Sequence, residues 1–230
     1  MLEDPPLLVI RKSFKRPPAD KLARLEGAQT GHIVDAMDGR GALDAAIKPV
    51  DPGQAQFVGT AMTCETGPSD NLAIVAAVAV AQKGDVIVSA SDGFTSTAVI
   101  GDIVSQLAKN AGIQAVVIDG MARDSEGIIG VGLPVFSRGI TPNSCVKSGP
   151  GRVGHPIVAG GVAIEPGDVI VGDRDGVVVI PQSKLDAVIE RIEAIREAEK
   201  KVIAKITADS LTRLDSIAAL LNSDRVRYVD

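Results

Sequence analysis

The sequence contains very few aromatic residues. Four phenylalanines, one tyrosine and no tryptophan account for 2% of its 230 residues. A protein that binds single-stranded nucleic acid by stacking bases on aromatic rings needs more of them, so this mode of binding is not expected. The core must instead be built from Val, Ile, Leu and Ala, because hydrophobic residues as a whole make up 45% of the chain.

Histidine and cysteine are also scarce. The chain has His32, His155, Cys64 and Cys145, and none of them falls in the closely spaced pairs that are typical of zinc sites. Two isolated cysteines do not form a disulfide framework. We therefore expect two free, buried and unreactive thiols, which is the usual state of cysteine in the reducing cytoplasm.

Dense positive charge and long apolar segments are lacking too. The net charge is −5, from 24 basic and 29 acidic residues, which does not suit binding to a phosphate backbone. The longest apolar run, residues 73–81, is too short to cross a bilayer. Met1 is followed by acidic residues and prolines rather than by a signal-peptide pattern. We expect a cytoplasmic protein that binds neither nucleic acid nor membrane.

The chain does have the pattern of an α/β protein. No linker interrupts residues 1–230, so we expect one domain. Prolines mark residues 1–20 as an extended arm, and short helices are expected over residues 19–26 and 31–38.

A helical extension, residues 184–230, is expected at the other end. Its first helix covers residues 184–207, is capped by Ser183 and repeats apolar residues with a helical period. The length of this helix would allow it to contact a neighbouring subunit.

The middle of the chain alternates helices and strands. A helix over residues 71–82, capped by Asp70, precedes an apolar strand over residues 86–90. A second helix over residues 97–110 precedes a second apolar strand over residues 115–119. The order strand, helix, strand predicts a crossover connection between parallel strands.

Two turns share the sequence Gly-Asp-Val-Ile-Val, at residues 84–88 and 167–171. We interpret them as equivalent entries from a turn into a strand. Residues 172–176 predict a hairpin turn, followed by a last strand over residues 176–181.

Two loops leave the carboxyl ends of the predicted parallel strands, which is where ligands bind in open α/β proteins. The first leads towards Gly101, which would let an anion approach the backbone near a helix start. Simple packing of a glycine inside a helix would explain Gly101 equally well.

The second loop ends in Arg123 and Asp124. Arginine offers a planar fork for a carboxylate or an enolate, and aspartate is a hard oxygen ligand for Mg²⁺. Asp102 would be the third charged group nearby. We expect these residues to form a site for a small acid.

Other kinds of catalysis have weaker support. The serines near the first loop are not in the Gly-x-Ser-x-Gly motif of a nucleophile elbow. Lys83 and Lys109 lie near helix ends that should face solvent, which argues against a Schiff-base lysine.

Several short motifs resemble those of the RraA-like family. They are KGDVIV at residues 83–88, GDI at 101–103, VIDGMARD at 117–124, PVF at 134–136, EPGD at 165–168 and DGVVVIP at 175–181. The resemblance runs from about Gly31 to Ala208. The family includes class II pyruvate aldolases that act on 4-hydroxy-4-methyl-2-oxoglutarate and 4-carboxy-4-hydroxy-2-oxoadipate.

The most specific motif is Asp102 followed, after twenty residues, by Arg123 and Asp124. The resemblance implies that Asp124 holds Mg²⁺ or Mn²⁺ and that Arg123 binds a pyruvate oxygen and stabilises the enolate. It also implies that the backbone of Gly101, Asp102 and Ile103 receives the substrate carboxylate, and that Asp102 orients water.

The resemblance implies a further residue from a neighbouring subunit. The family places a glutamate of the C-terminal helix near the adjacent site, and Glu199 matches it best, with Glu197 as the alternative. The implied fold is the β/β/α swivelling-domain (RraA-like) fold, assembled as a homotrimer or homohexamer. Residues 30–36 and 151–157 depart from the family pattern.

The resemblance implies a metal-dependent carbon–carbon lyase that cleaves a 4-hydroxy-2-oxo diacid into pyruvate and a second 2-oxo acid. Decarboxylation of oxaloacetate is expected as a side activity, because it passes through the same enolate. Two alternatives remain. One is a regulatory protein that binds and inhibits a ribonuclease, and the other is a lyase or isomerase of another 2-oxo sugar acid.

Overall fold

The structure is a computed structural model that describes residues 6–209 and 211–229. Within these residues the helices are α1 (Ala19–Ala23), α2 (Thr30–Ala36), α3 (Leu72–Val80), α4 (Asp102–Asn110), α5 (Ser125–Val131), α6 (Leu185–Asp209) and α7 (Asp215–Leu221). The strands are β1 (Leu8–Ile10), β2 (Lys48–Pro49), β3 (Phe57–Thr66), β4 (Asp85–Ala90), β5 (Ala98–Ile100), β6 (Ala115–Ile118), β7 (Met121–Ala122), β8 (Val135–Ser137), β9 (Gly139–Ile140), β10 (Gly151–Val153), β11 (Ile157–Ala159), β12 (Val162–Ile164), β13 (Val169–Asp173) and β14 (Gly176–Ile180). Turns of 3₁₀ helix cover Pro52–Gln54 and Gln182–Lys184.

One large mixed sheet forms the centre of the fold. Its strands follow the order β1-β10-β3-β4-β6-β8-β2, and the β13–β14 hairpin joins it through β3. The strands β3, β4, β6 and β8 are parallel neighbours. Val86 of β4 pairs with Ala115 of β6, which confirms the predicted parallel pairing.

Strand β4 is buried along its whole length because both faces of the sheet are covered. Ile87 packs into a cluster with residues of α3, α4 and α5. Val86 and Val88 point to the opposite face and pack with residues of β11, β12, β13 and β14. This alternation explains the unbroken run of apolar residues, and it confirms the aliphatic core.

The β13–β14 hairpin separates the central sheet from an outer layer of helices. Ile170 of β13 faces the sheet, whereas Val169 and Val171 face a third cluster with residues of α2 and α6. Asp173 pairs with Gly176, so the predicted hairpin turn is confirmed.

The two Gly-Asp turns are equivalent, as predicted. Oδ2 of Asp85 accepts the N–H of Gln82 at 2.8 Å, and Oδ2 of Asp168 accepts the N–H of Glu165 at 2.9 Å. The two strands that begin there lie on opposite sides of β3.

A second, smaller parallel sheet extends the carboxyl edge of the large one. It has the order β5-β7-β9, and each of its strands follows one strand of the large sheet, namely β4, β6 and β8. The loops that follow β5 and β7 therefore emerge side by side, beyond the edge at which ligands bind in parallel sheets.

The expected helix over residues 97–110 is wrong in its first turn. Residues 98–100 are all buried and form strand β5, which pairs with β7, and Gly101 then precedes α4. Three apolar residues directly before a helix look like an additional helical turn, whereas their pairing partner lies more than twenty residues along the chain.

The start of the described chain is held against the domain. Strand β1 is parallel to β10, and the Nε and Nη2 atoms of Arg16 each donate to the Asp85 carboxylate at 2.8 Å. The helix expected over residues 19–26 ends at Ala23, and the next predicted helix is α2. Residues 1–5 of the expected arm lie outside the described residues.

Helix α6 is long and only partly packed. It begins at Leu185, after the 3₁₀ turn Gln182–Lys184, so Ser183 lies inside that turn rather than at the cap position. Val188 and Ile192 are buried against the domain, whereas Val202 and Ile203 near the other end are exposed. No helix in the described part of the chain is long and apolar enough to span a membrane.

Candidate active site

The small parallel sheet forms one wall of a cleft of about 240 Å³. Gly101, Asp102 and Ile103 follow β5, Arg123 and Asp124 follow β7, and all of them line the cleft. The structure therefore brings these predicted residues together from loops that are separate in the sequence.

Gly101 lies where the two loops touch. Its φ of −142° is extended backbone that any residue adopts, so conformation does not require glycine. A β-carbon there would lie 2.6 Å from Oδ2 of Asp124 and 3.4 Å from Cγ of Arg123, so a larger residue would displace the Asp124 carboxylate. Gly101 precedes α4 and does not lie within it, which makes the packing of a glycine inside a helix the wrong explanation.

Arg123 is fixed at three points. Its backbone N–H donates to the Ile100 carbonyl at 3.0 Å, which continues the pairing of β5 with β7. Its Nε lies 3.2 Å from Oδ2 of Asp124, and its Nη1 donates to Oγ of Ser144. The Arg123 side chain is 40% exposed and lines the cleft, so the other N–H groups of its guanidinium remain available there.

Asp124 has a left-handed backbone, with φ 54° and ψ 45°, at the position before α5. Aspartate tolerates this conformation better than most residues, although it is still strained. The carbonyl of Asp124 accepts the N–H of Ile128 at 2.9 Å and so starts the helix. This turn directs the carboxylate back towards Gly101.

Asp102 is the first residue of α4. Its Oδ1 accepts the N–H of Ile103 at 2.7 Å. A β-carbon on Gly127 of α5 would lie 2.7 Å from Cβ of Asp102, so this glycine allows α4 and α5 to approach each other at the site.

Asp124 fits the role of ligand for a hard cation. Its Oδ2 contacts Arg123, and within the described residues no hydrogen bond occupies its Oδ1. The described residues contain no cluster of three His, Cys, Asp or Glu that could hold a metal. A cation in this cleft would take its other ligands from water and substrate, as Mg²⁺ usually does.

Sequence reasoning missed three polar residues of the cleft. Asn71, Ser144 and Lys147 line it together with Arg123. Ser144 is brought there by a bridge to Ala98 at the start of β5. None of the three lies in a motif, and only the long-range pairing of the segment around residue 144 places them together. Next to Asn71, the sequence indicates only a helix cap at Asp70. In the structure the Asp70 carboxylate accepts the N–H of Leu72 at 2.8 Å, and Asn71 is the residue that directly precedes α3.

Cys145 was expected to be buried and unreactive, and the expected burial is wrong. It is half-buried and lines the cleft, where burial raises the pKa of its thiol above the ordinary value of 9.0. Cys64 is fully buried, as expected, and burial raises its pKa to about 12.

Glu199 lies on α6 and does not line the cleft of its own chain. Its Oε2 is 2.5 Å from Nε2 of His32 in α2, and the side chain is 49% exposed. Glu197 is exposed as well, 3.7 Å from Lys201. The role of either glutamate in a neighbouring subunit stays a prediction.

The sequence matches a known protein family over more than half of its length. The family model described as RraA-like, Aldolase/RraA, matches residues 30–179. The chain belongs to the RraA-like family. The resemblance predicted from the short motifs is thereby confirmed.

Relatives within the RraA-like family have different names. A Halalkalibacterium halodurans protein named "Putative 4-hydroxy-4-methyl-2-oxoglutarate aldolase" is 39% identical over 80% of this chain and 89% of its own length. A crystal structure of an uncharacterised protein from Pseudomonas syringae is 32% identical over 85% of this chain and 96% of that one, with a TM-score of 0.74. The fold is therefore the RraA-like fold, as expected.

The family also contains regulators. A Streptomyces coelicolor structure, described as an unusual member of the RNase ES inhibitor RraA protein family, is 26% identical over 84% of this chain and 100% of that one, with a TM-score of 0.72. The RraA-like match covers every residue of the cleft named above and ends before α6. Membership of the family therefore concerns the residues of the cleft and gives no information about Glu199.

Proposed function

We propose that this protein is a divalent-cation-dependent lyase that cleaves a 4-hydroxy-2-oxo diacid into pyruvate and a second 2-oxo acid. The observation that carries the proposal is the convergence of Gly101, Asp102, Arg123 and Asp124 on one cleft. The aldolase name of the Halalkalibacterium halodurans relative supports it.

Asp124 would hold the cation, Mg²⁺ or Mn²⁺, through its unpartnered oxygen. When bound, the cation supplies Lewis acidity that polarises the 2-oxo group of the substrate. Everything else in the reaction falls to the side chains and backbone of this chain.

Arg123 stabilises the charge that develops during cleavage. Asp124 and Ser144 hold its guanidinium from two sides, so it need not reorganise when the 2-oxo oxygen becomes an enolate oxygen. Preorganised donors of this kind are among the largest contributions to catalysis. The backbone N–H groups of Gly101 and Asp102 receive the substrate carboxylate, whereas that of Ile103 already donates to Oδ1 of Asp102.

Cleavage of the substrate is a retro-aldol reaction. A base removes the proton of the 4-hydroxyl, the C3–C4 bond breaks, C4 becomes a carbonyl carbon and the electron pair forms the pyruvate enolate. Protonation at C3 then gives pyruvate. Asp102 is the base available in this chain because its Oδ2 accepts no hydrogen bond within the described residues, and the partner's Glu199 is the alternative.

The site is proposed to lie between subunits of a homotrimer or homohexamer. Ile103 lines the cleft, Leu107 shares a neighbouring groove with Ile103, and Ile140 shares another with Arg123 and Asp124. The three apolar residues are 71%, 48% and 49% exposed. Apolar side chains exposed next to one another are typical of an interface.

The test is release of pyruvate by the purified protein with Mg²⁺, from 4-hydroxy-4-methyl-2-oxoglutarate and from oxaloacetate, followed with lactate dehydrogenase. We expect release from both substrates and its loss when EDTA removes the cation. No release from either would contradict the proposal and favour a regulatory protein. Release from other 2-oxo sugar acids alone would favour a different lyase.

A further inference from the structure

The cleft contains one buried polar atom that has no partner. Asn71 is 6% exposed, and its Nδ2 donates to the Val99 carbonyl at 3.1 Å. Because a carbonyl can only accept, this bond fixes the orientation of the amide and leaves Oδ1 as the other end. That Oδ1 is buried, has no hydrogen-bond partner within the described residues, and belongs to a residue that lines the cleft.

An acceptor left unpaired in this way is costly unless something binds to it. The protein cannot satisfy Oδ1 with the backbone of Asn71, because that N–H already donates to the Val146 carbonyl at 3.1 Å. A donor on a ligand in the cleft, such as a hydroxyl group, would satisfy it.

The same cleft contains a cation without a counter-ion. Lys147 lines it, and no carboxylate of the described residues forms an ion pair with this ammonium group. The nearby Asp70 is already used, since its Oδ1 accepts the N–H of Leu72 and its Oδ2 accepts those of Ser148 and Gly149. The positive charge of Lys147 therefore adds to that of Arg123 in attracting an anion.

We propose that Asn71 and Lys147 form the subsite that selects the substituents on C4 of the substrate. Lys147 binds the second carboxylate, and Oδ1 of Asn71 accepts the hydrogen of the 4-hydroxyl as the substrate enters. Rotation about the C–O bond then releases that hydrogen to the base. After cleavage the hydroxyl oxygen has become a carbonyl oxygen, which cannot donate to Oδ1, so the contact favours departure of the second product.

This inference rests on the proposed function and assigns the half of the cleft that the pyruvoyl group does not use. It explains why a diacid would be preferred, because the pyruvoyl half is already neutralised by Arg123 and the cation. A substrate without the second carboxylate would leave Lys147 unpaired.

The test compares two rates on the same enzyme. Cleavage of 4-hydroxy-4-methyl-2-oxoglutarate uses both halves of the cleft, whereas deuterium exchange into the methyl group of pyruvate, followed by NMR, uses the pyruvoyl half alone. In Lys147→Met we expect the ratio of cleavage to exchange to fall roughly tenfold to a hundredfold, mainly through KM, as loss of a charged hydrogen bond predicts. Lys147→Arg should restore most of that ratio.

Lys12→Met is the matched control, because Lys12 is exposed on the arm and lines no part of the cleft. An unchanged ratio in Lys147→Met would overturn the assignment of the carboxylate to Lys147. A wild-type protein that neither cleaves nor exchanges would instead contradict the proposed function itself.

Asn71 is tested separately with oxaloacetate, which has no hydroxyl group. Asn71→Leu should reduce cleavage of the hydroxy diacid at least about tenfold more than decarboxylation of oxaloacetate. Equal losses on the two substrates would overturn the role of Oδ1. The ratio of the two rates in one preparation is unaffected by any fraction of protein that fails to fold.

Discussion

A β-carbon placed on Gly101 would lie 2.6 Å from Oδ2 of Asp124. The loop after β5 and the loop after β7 are thus in contact at a position where a side chain is missing. Because Gly101 has no side chain, the proposed cation ligand Asp124 can lie next to the backbone that is proposed to bind the substrate.

Gly101→Ala should therefore displace Asp124 and reduce pyruvate release by at least about tenfold. The fold should survive, because Gly101 has an extended backbone that alanine also adopts. The measurement is kcat/KM as a function of Mg²⁺ concentration, with an increased requirement for Mg²⁺ expected.

Gly130→Ala in α5 is the matched control. A β-carbon there meets nothing within 4 Å, so activity should be retained. Alanine in a helix should raise the free energy of unfolding by about 0.5–1 kcal/mol. If Gly101→Ala were as active as Gly130→Ala, contact between the loops would not matter for the reaction.

The glutamate on α6 can be assigned by mixing subunits. Arg123→Ala and Glu199→Ala should each be inactive alone. If the site combines Arg123 of one subunit with Glu199 of the next, refolded 1:1 mixtures should regain about a quarter of wild-type activity, because one site in four combines two intact residues.

Glu197→Ala serves as the control for this experiment. Glu197 is exposed, and its ion pair within the described residues is with Lys201, so the variant should be active without mixing. A mixture of Arg123→Ala and Glu199→Ala that stays inactive would place both residues in the same subunit's site. A Glu199→Ala protein that is active without mixing would remove Glu199 from the site.

Much of the fold could be predicted from local sequence, and the reason is burial. Strands β4 and β6 are covered on both faces, so each is a continuous aliphatic run bounded by turn residues. Strand β5 escaped prediction because its three residues run directly into α4. Its identity as a strand depends on pairing with β7, which no local pattern encodes.

The residues of the candidate site also differ in how far local sequence predicts them. Arg123 and Asp124 come shortly after β6, an apolar strand that is evident in the sequence, and their spacing from Asp102 is recognisable. Asn71 and Lys147 each follow one partner of the β-bridge that joins Asp70 to Val146, which brings their two segments together. A single sequence gives no signal for such a bridge.

The two cysteines should differ in their reaction with iodoacetamide. Burial raises the pKa of Cys145 above 9.0, so less of it is thiolate at pH 8 than in an exposed cysteine, and its alkylation should keep increasing above pH 9. Cys64, with a pKa of about 12 and full burial, should stay unmodified.

Mass spectrometry of the labelled protein measures both sites. Pyruvate with Mg²⁺ should slow the alkylation of Cys145, because this thiol lines the cleft. Faster labelling of Cys64 than of Cys145 would contradict the burial of Cys64.

A buried ion pair beside the small sheet should matter for stability. Asp119, 8% exposed, accepts Nε of Arg138 at 2.5 Å and the N–H of Gly160 at 2.9 Å. Asp119→Ala leaves the guanidinium with Asp44 alone, and we expect a loss of about 2–3 kcal/mol in the free energy of unfolding by urea, at the low end for a buried pair. Glu193→Ala, which removes an exposed partner of Arg24, should change stability little by comparison.

The most direct test of the account is the rate of pyruvate release by Arg123→Ala. Loss of a preorganised donor to the enolate oxygen predicts a fall of about a hundredfold to a thousandfold in kcat, with an unchanged circular dichroism spectrum. Retention of more than about a tenth of the wild-type kcat by a correctly folded Arg123→Ala protein would contradict the central claim.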